Sequence, residues 1–191
     1  MSNIITTTNN TLRLYRFNES FISDRYISWL NDSNLMRYSR QRHTAHTIES
    51  CRSYLQSFEN SPNHFFAAVD QIDGRHVGNV AIYINTYSNV ADIAIMMGER
   101  RQNGKGYGKQ AWGLAMAYLF DKQSLRKITA GTMACNLAMI KVAQHWHMKQ
   151  EALLRQQDIF EGTPVDIVRF GILQEEWRIL NNRPILDSCD L

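Results

Sequence analysis

Three glycines alternate in Gly104-Lys105-Gly106-Tyr107-Gly108, between an apolar run at residues 90–97 and an amphipathic run that follows. Glycine admits positive φ and lets a ligand reach the main chain with no Cβ in the way. Successive N–H groups in such a turn converge on one concavity. A helix that starts there adds its positive end and its unpaired donors. The chemistry implied is anion binding, a phosphate site made of main-chain amides. A flexible turn between strand and helix is the competing reading of the same glycines. Two other nucleotide motifs fail on inspection. A P-loop needs Gly-Lys followed by Ser or Thr, and here Gly108-Lys109 is followed by Gln110. A Rossmann fingerprint spaces its glycines G-x-G-x-x-G, whereas this turn reads G-x-G-x-G.

Two carboxylates stand beside this turn. Glu99 lies just past the apolar run and Asp92 lies inside it. A lone acid in an apolar strand is costly unless partnered, so Asp92 serves either a structural hydrogen bond or chemistry. Farther back, Tyr38-Ser39-Arg40-Gln41-Arg42-His43 carries two guanidinium groups suited to a carboxylate or phosphate. A solvated loop is the competing reading there. His145 and His147 are two apart and face different directions on a helix. No third ligand accompanies them, and no metal site is expected.

The elements that must position these groups follow from periodicity. Residues 12–17 alternate and predict a first strand. Helices are predicted over 24–30 and, from an N-cap at Thr47, to about residue 58. Strands are predicted at 64–69, 77–84 and 90–97, the first two joined by the Asp73-Gly74 turn. The third is apolar except for Asp92, which predicts burial on both faces at the centre of a sheet. After the glycine turn a helix is predicted over 107–121, with Trp112, Met116, Leu119 and Phe120 on its apolar stripe. A strand at 127–132, a helix at 136–146 and strands near 151–156 and 166–173 complete the order. Hairpin strands followed by strand–helix alternation predict a mixed sheet of the α+β kind.

The chain has 191 residues, 44% hydrophobic and 20% charged, which suits one domain with a real core. Residues 1–180 are expected to form it, with 181–191 as a tail. The net charge of +3 is scattered rather than gathered in a stripe, which argues against nucleic acid. No apolar run reaches the roughly 20 residues of a membrane span, and the polar start lacks a signal-peptide core. The expected compartment is the cytoplasm. The three cysteines are far apart and read as reduced thiols.

The run Arg101-x-x-Gly104-x-Gly106 matches the R/Q-x-x-G-x-G/A signature of the GNAT N-acetyltransferases. The chain resembles that family from about residue 12 to residue 177. It is most similar to the branch of ribosomal-protein N-terminal (Rim-type), amino-sugar and polyamine acetyltransferases. Supporting marks are Leu12-Arg13-Leu14, Val77-Gly78-Asn79, Asn136, and Gly162 and Asp166 before Glu176-Trp177. The resemblance implies an α+β (mixed α/β) GNAT-type fold: a central, mixed, mostly antiparallel sheet of about seven strands, flanked by about four or five helices. It implies acetyl-CoA as cosubstrate and a primary amine as acceptor. Main-chain groups of Ile95, Met96 and Met97 would pair with the pantetheine arm. Amides of Gln102, Asn103, Gly104, Lys105, Gly106, Tyr107 and Gly108 would hold the pyrophosphate, and Asn136 would contact the pantetheine end.

The chain departs from the family in one place. Many members carry a tyrosine four residues before a Gly-Phe pair, where this chain has Ala143, His147 and Met148. The usual proton donor to the departing thiolate is therefore missing, and Tyr107 and Cys135 are its candidate substitutes. Glu99 is the first candidate for the base that deprotonates the amine, and Asp92 the second. A main-chain N–H near Met97 is the candidate donor to the oxyanion. Tyr38, Arg40, Arg42 and Asn79 are candidate acceptor-binding residues and favour a nucleotide-linked amino sugar. A protein N-terminus is the alternative acceptor, a non-catalytic CoA-binding regulatory module is the alternative of another class, and a homodimer is left open.

Overall fold

The computed structural model describes residues 4–6, 11–98 and 106–181. Eight strands form one sheet: β1 (Ile4–Thr6), β2 (Leu12–Arg16), β3 (His64–Asp70), β4 (His76–Asn85), β5 (Val90–Met97), β6 (Lys127–Met133), β7 (Lys149–Phe160) and β8 (Thr163–Leu173). Their order is β1-β2-β3-β4-β5-β6-β8-β7. Every described neighbour pair is antiparallel except β5 and β6, which run parallel. That exception follows from connectivity, because α3 (Tyr107–Ala117) crosses over between those two strands. The other helices are α1 (Asp24–Leu30), α2 (Ile48–Gln56), α4 (Leu137–His145) and α5 (Gln174–Asn181).

The mixed, mostly antiparallel sheet predicted from the sequence is present with all seven predicted strands. β1 adds three residues at one edge. Thr47 caps α2 as its sequence predicts, in a reciprocal capping box with Ser50. Gly74 takes φ +70° in the β3–β4 turn, as the Asp-Gly signal requires. The predicted stripe is buried, with Trp112, Met116, Leu119 and Phe120 each at most 2% exposed, but α3 ends at Ala117 and Leu119 and Phe120 lie in the π-helical turn Tyr118–Lys122 that continues it. The periodicity predicts no helix after the last strand, where α5 forms. Trp177 is 1% exposed, lies against Phe120 at 5.6 Å, and its Nε1 donates to Asp121.

The sheet divides the interior in two. Leu12, Leu14, Val80, Ile82 and Ile93 pack under α3. Phe65, Ala67 and Ala81 pack on the opposite face with Tyr26 and Trp29 of α1 and Cys51 of α2. Among the described residues no helix is long and apolar enough to cross a membrane.

The end of α4 departs from the pattern that the resemblance implies. His147 donates its N–H to Gln144 and Met148 donates to Ala143, the two bonds of a Schellman motif. His147 sits at φ +56°, in the left-handed region. This is where the resemblance places a glycine. Replacing His147 with glycine should remove the Cβ penalty and raise stability by about 1 kcal/mol. Thermal unfolding should then shift up by about 2–4 °C. A lower melting temperature would show that the imidazole contributes more than its backbone strain costs.

Candidate functional site

β5 and β6 pair only from Val90/Lys127 to Asp92/Thr129. Beyond that point β6 stays on β8 to Met133, while β5 stays on β4 to Met97. The two strands therefore part, and the sheet opens. Asp92 stands at the fork. Its Oδ2 accepts from Thr129 Oγ1 at 2.8 Å and from Arg169 Nη2 at 2.7 Å. The acid that the apolar strand had to justify is a clamp tying β5 to β6 and β8, with its charge paired. This placement favours the structural reading of Asp92 over a base.

The opening also revises the burial of β5. Ala91 and Ile93 are buried, but Ala94 is exposed and Ile95, Met96 and Met97 are half-buried. Only the paired part of the strand has neighbours on both sides. Main-chain polar groups alternate in direction along a strand. The N–H of Gly98 goes to Val77 on β4, while the carbonyl of Ala91 faces Thr129 on β6. Ile93, Ile95 and Met97 share the parity of Ala91, so their N–H and C=O groups face the opening. A cavity of ≈ 1140 Å³ passes through it, lined by Ile95, Met97 and Trp112 from one face and Tyr26, Tyr54 and Asn79 from the other.

The start of α3 borders the same cavity. Gly106 is its N-cap at φ +67° and ψ +22°, and no side chain caps this end. A left-handed residue followed by a helical one turns consecutive N–H groups into one hollow. A Cβ on Gly108 would sit 3.6 Å from Ile95 Cδ1 and 3.8 Å from Met97, so α3 begins directly against β5. Glu99, Gln102, Asn103, Gly104 and Lys105 lie outside the described residues. What is described fits a CoA thioester. A strand edge is open for an extended arm, an uncapped helix start is ready for phosphate, and the Trp112 Nε1 in the wall has no partner.

Asn136 lines the cavity and caps α4 at the same time. Its Oδ1 accepts from Met139 N–H at 3.3 Å and its Nδ2 donates to Thr132 Oγ1 at 3.0 Å. One Nδ2 hydrogen remains for a ligand. Tyr107 corrects a sequence expectation. Its hydroxyl hydrogen-bonds to the fully buried Asp70, and its side chain is not in the cavity wall. Its phenol is committed to Asp70 rather than placed for a thiolate in the cavity.

The guanidinium pair is also used internally. Arg42 reaches Asp158 Oδ1 at 3.2 Å and the Ile159 carbonyl at 2.6 Å, and Arg40 reaches Asp158 Oδ2 at 3.4 Å. The Ile159 N–H, then both guanidiniums, holds the Asp158 carboxyl below its ordinary range. Tyr38 stacks on Phe160 at 5.3 Å, with Arg37 over both rings. The 3₁₀ turn Arg40–His43 is thus fastened to the tip of the β7–β8 hairpin. Tyr38 and Arg40 still line the cavity, but Arg42 is committed to Asp158. Asp158 and Phe160 were not singled out in the sequence, because nothing local marks a hairpin tip that returns from 116 residues away.

Asn79, expected from the sequence to bind the acceptor, lines the cavity. It is 4% exposed, and its Oδ1 meets His76 Nε2 at 2.8 Å. Cys51 also lines the cavity, and burial pushes its thiol pKa up, which makes it a poor nucleophile.

Comparison with known proteins gives the same direction. The family described as "Acetyltransferase (GNAT) domain" matches residues 11–149. "Probable N-acetyltransferase YjcK" of Bacillus subtilis (strain 168) is 26% identical over 137 residues, covering 69% of this chain and 75% of that one. The spermidine N-acetyltransferase of Vibrio cholerae, solved with CoA and spermine, superposes with TM-score 0.79 at 19% identity, covering 89% of this chain and 99% of that one. RimL, a ribosomal L7/L12 α-N-protein acetyltransferase solved with CoA, superposes with TM-score 0.79 at 18% identity, covering 91% and 99%.

Proposed function

Because the chain belongs to the GNAT acetyltransferase family, we propose that it moves acetyl from acetyl-CoA directly to a primary amine, preferentially a nucleotide-linked amino sugar or another small amine. The observation that carries this reading is the cavity running through the sheet where β5 leaves β6. It admits a cofactor arm from the α3–α4 face and an acceptor from the α1–α2 face, so the two reactants meet at the strand edge.

The chain's own groups then divide the work. Main-chain groups of Ile95 and Met97 extend the sheet onto the pantetheine arm. The amides at the start of α3, with those of residues 102–105, take the pyrophosphate. The free Nδ2 hydrogen of Asn136 steadies the pantetheine end. Acetyl-CoA supplies an acetyl group activated as a thioester. The N–H of Met97 is the donor for the oxygen that gains charge during transfer. Glu99, two residues on, takes the proton that the ammonium form of the acceptor must lose, directly or through water; as the C–N bond forms the thioester C–S bond breaks, and the second amine proton passes through water to the departing sulfur, so that CoA leaves as the thiol.

Calorimetric titration with CoA, followed by thiol release from acetyl-CoA over an amine panel, tests this. The panel holds a nucleotide-linked amino sugar, peptides with a free N-terminus, and spermidine. CoA binding and amine-dependent thiol release are expected. Binding without release on any amine would leave a CoA-binding module, and no binding at all would remove the cofactor assignment.

A further inference from the structure

His76 is enclosed by four aromatic rings, with centroids of Trp29 at 5.0 Å, Phe21 at 5.1 Å, and Phe17 and Tyr26 at 5.9 Å. Its Nε2 lies 2.9 Å from the Gly78 carbonyl and 2.8 Å from Asn79 Oδ1. The carbonyl can only accept, so Nε2 carries the hydrogen and the amide oxygen of Asn79 faces His76. Burial, opposed in part by these two bonds, holds the His76 pKa below its ordinary value, which keeps the ring neutral. The ring cannot turn inside its aromatic box, so the amide cannot flip. What Asn79 has left is Nδ2, a donor with no partner. Asn79 stands opposite Met96 in the β4–β5 register, and both line the cavity.

A buried donor without a partner is destabilising, a cost that a ligand oxygen would relieve and a ligand N–H would not. The charge of the wall points the same way. Among the described residues lining the cavity Asp92 is the only carboxylate, and Arg169 already pairs with it. Arg40 and His46 are in the same wall. Further ammonium groups on an acceptor would find no unpaired carboxylate among these described residues.

We infer that Asn79 is a specificity-determining residue, locked by His76, and that the acceptor is an amine bearing an oxygen near its nitrogen rather than a polyamine. The inference rests on the amine-acetylating reading and narrows it. A sugar amine or a peptide N-terminus offers such an oxygen, whereas spermidine offers only donors and extra positive charge. His76 is a positioning residue, acting through Asn79.

The test compares kcat/KM for a nucleotide-linked amino sugar, a peptide with N-terminal serine, and spermidine, with CoA affinity as the control for folding. Wild type should favour the better oxygen-bearing amine over spermidine by at least about 10-fold. Asn79→Asp keeps the oxygen that His76 holds and turns the donor into an acceptor. It should lower that ratio at least about 10-fold while CoA affinity stays within about threefold. His76→Phe fills the same box and frees the amide, and it should lower the ratio mainly through KM. Spermidine turned over as well as the other amines by wild type, or a ratio unmoved by Asn79→Asp, overturns this inference and leaves acetyl transfer standing. CoA binding without transfer to any amine withdraws both. Should a variant lose CoA binding, the wild-type ratio alone decides.

Discussion

Met97→Pro is expected to lower kcat by about 10²–10³ while leaving the fold intact, and Ala94→Pro, three residues earlier, is expected to do the reverse. The two positions differ in parity. The N–H groups of Ala94, Met96 and Gly98 point to β4, as the Gly98–Val77 bond shows. Those of Ile95 and Met97 point into the gap where β6 has departed. Proline at 97 removes a donor that the sheet does not use. Only the transferring oxygen and the cofactor arm lose by it, so the loss falls on turnover, with a smaller rise in KM for acetyl-CoA. Proline at 94 removes a ladder bond to Ala81 and sets a ring against β4. That costs about 2–4 kcal/mol, or a melting temperature lower by roughly 5–15 °C. Steady-state kinetics and thermal unfolding on the two variants separate the effects. Equal loss of stability in both, or full kcat in Met97→Pro, would mean that the strand edge is not the site of transfer.

The same alternation marks the boundary of what the sequence could disclose. The spacing of Trp112 and Met116 specified α3 because a helix writes its buried face locally, and Thr47 specified the start of α2 for the same reason. Asn136 was found through the family pattern, and its cap role explains why an asparagine stands there. The glycine turn suggests an anion site through backbone freedom alone, and residues 101–105 of it lie outside the described residues. The fork, by contrast, depends on where β6 stops pairing, which is set by its long register with β8. A sequence window around β5 sees eight mostly apolar residues and cannot tell a covered strand from one with an open edge. Arg42 read as an anion ligand because its partner, Asp158, lies far along the chain. Tyr107 read as a candidate acid because Asp70, buried at the end of β3, carried no local mark of its role. His76 was passed over for a similar reason: the aromatic box around it is assembled from Phe17 just past β2, Phe21 of the 3₁₀ turn Glu19–Phe21, and Tyr26 and Trp29 of α1.

Of the two glycines within the described helices, Gly113 should tolerate alanine far less well than Gly108. Alanine inside a helix is ordinarily better than glycine by about 1 kcal/mol. Here the sign reverses. The new Cβ would sit 2.1 Å from Trp146 Cζ2 and 2.4 Å from its Cη2. The indole has little room to retreat, because its Nε1 donates to the Lys109 carbonyl at 2.9 Å and its ring lies 6.0 Å from Trp177. Overpacking of this kind costs about 3 kcal/mol, so unfolding should move down by roughly 6–12 °C. The damage should extend to function. Lys109 belongs to the first turn of α3, whose start at Gly106 is the proposed phosphate cradle, and Trp146 ties that turn to the end of α4. CoA affinity should therefore fall by at least about 10-fold, since a displaced helix start misdirects its amides. Trp146→Ala supplies the control. In that background the clash is gone, and Gly113→Ala should become neutral or stabilising by up to about 1 kcal/mol. If the single variant melts with wild type, or if removing Trp146 fails to reverse the sign, then the α3–α4 contact does not set the position of the turn.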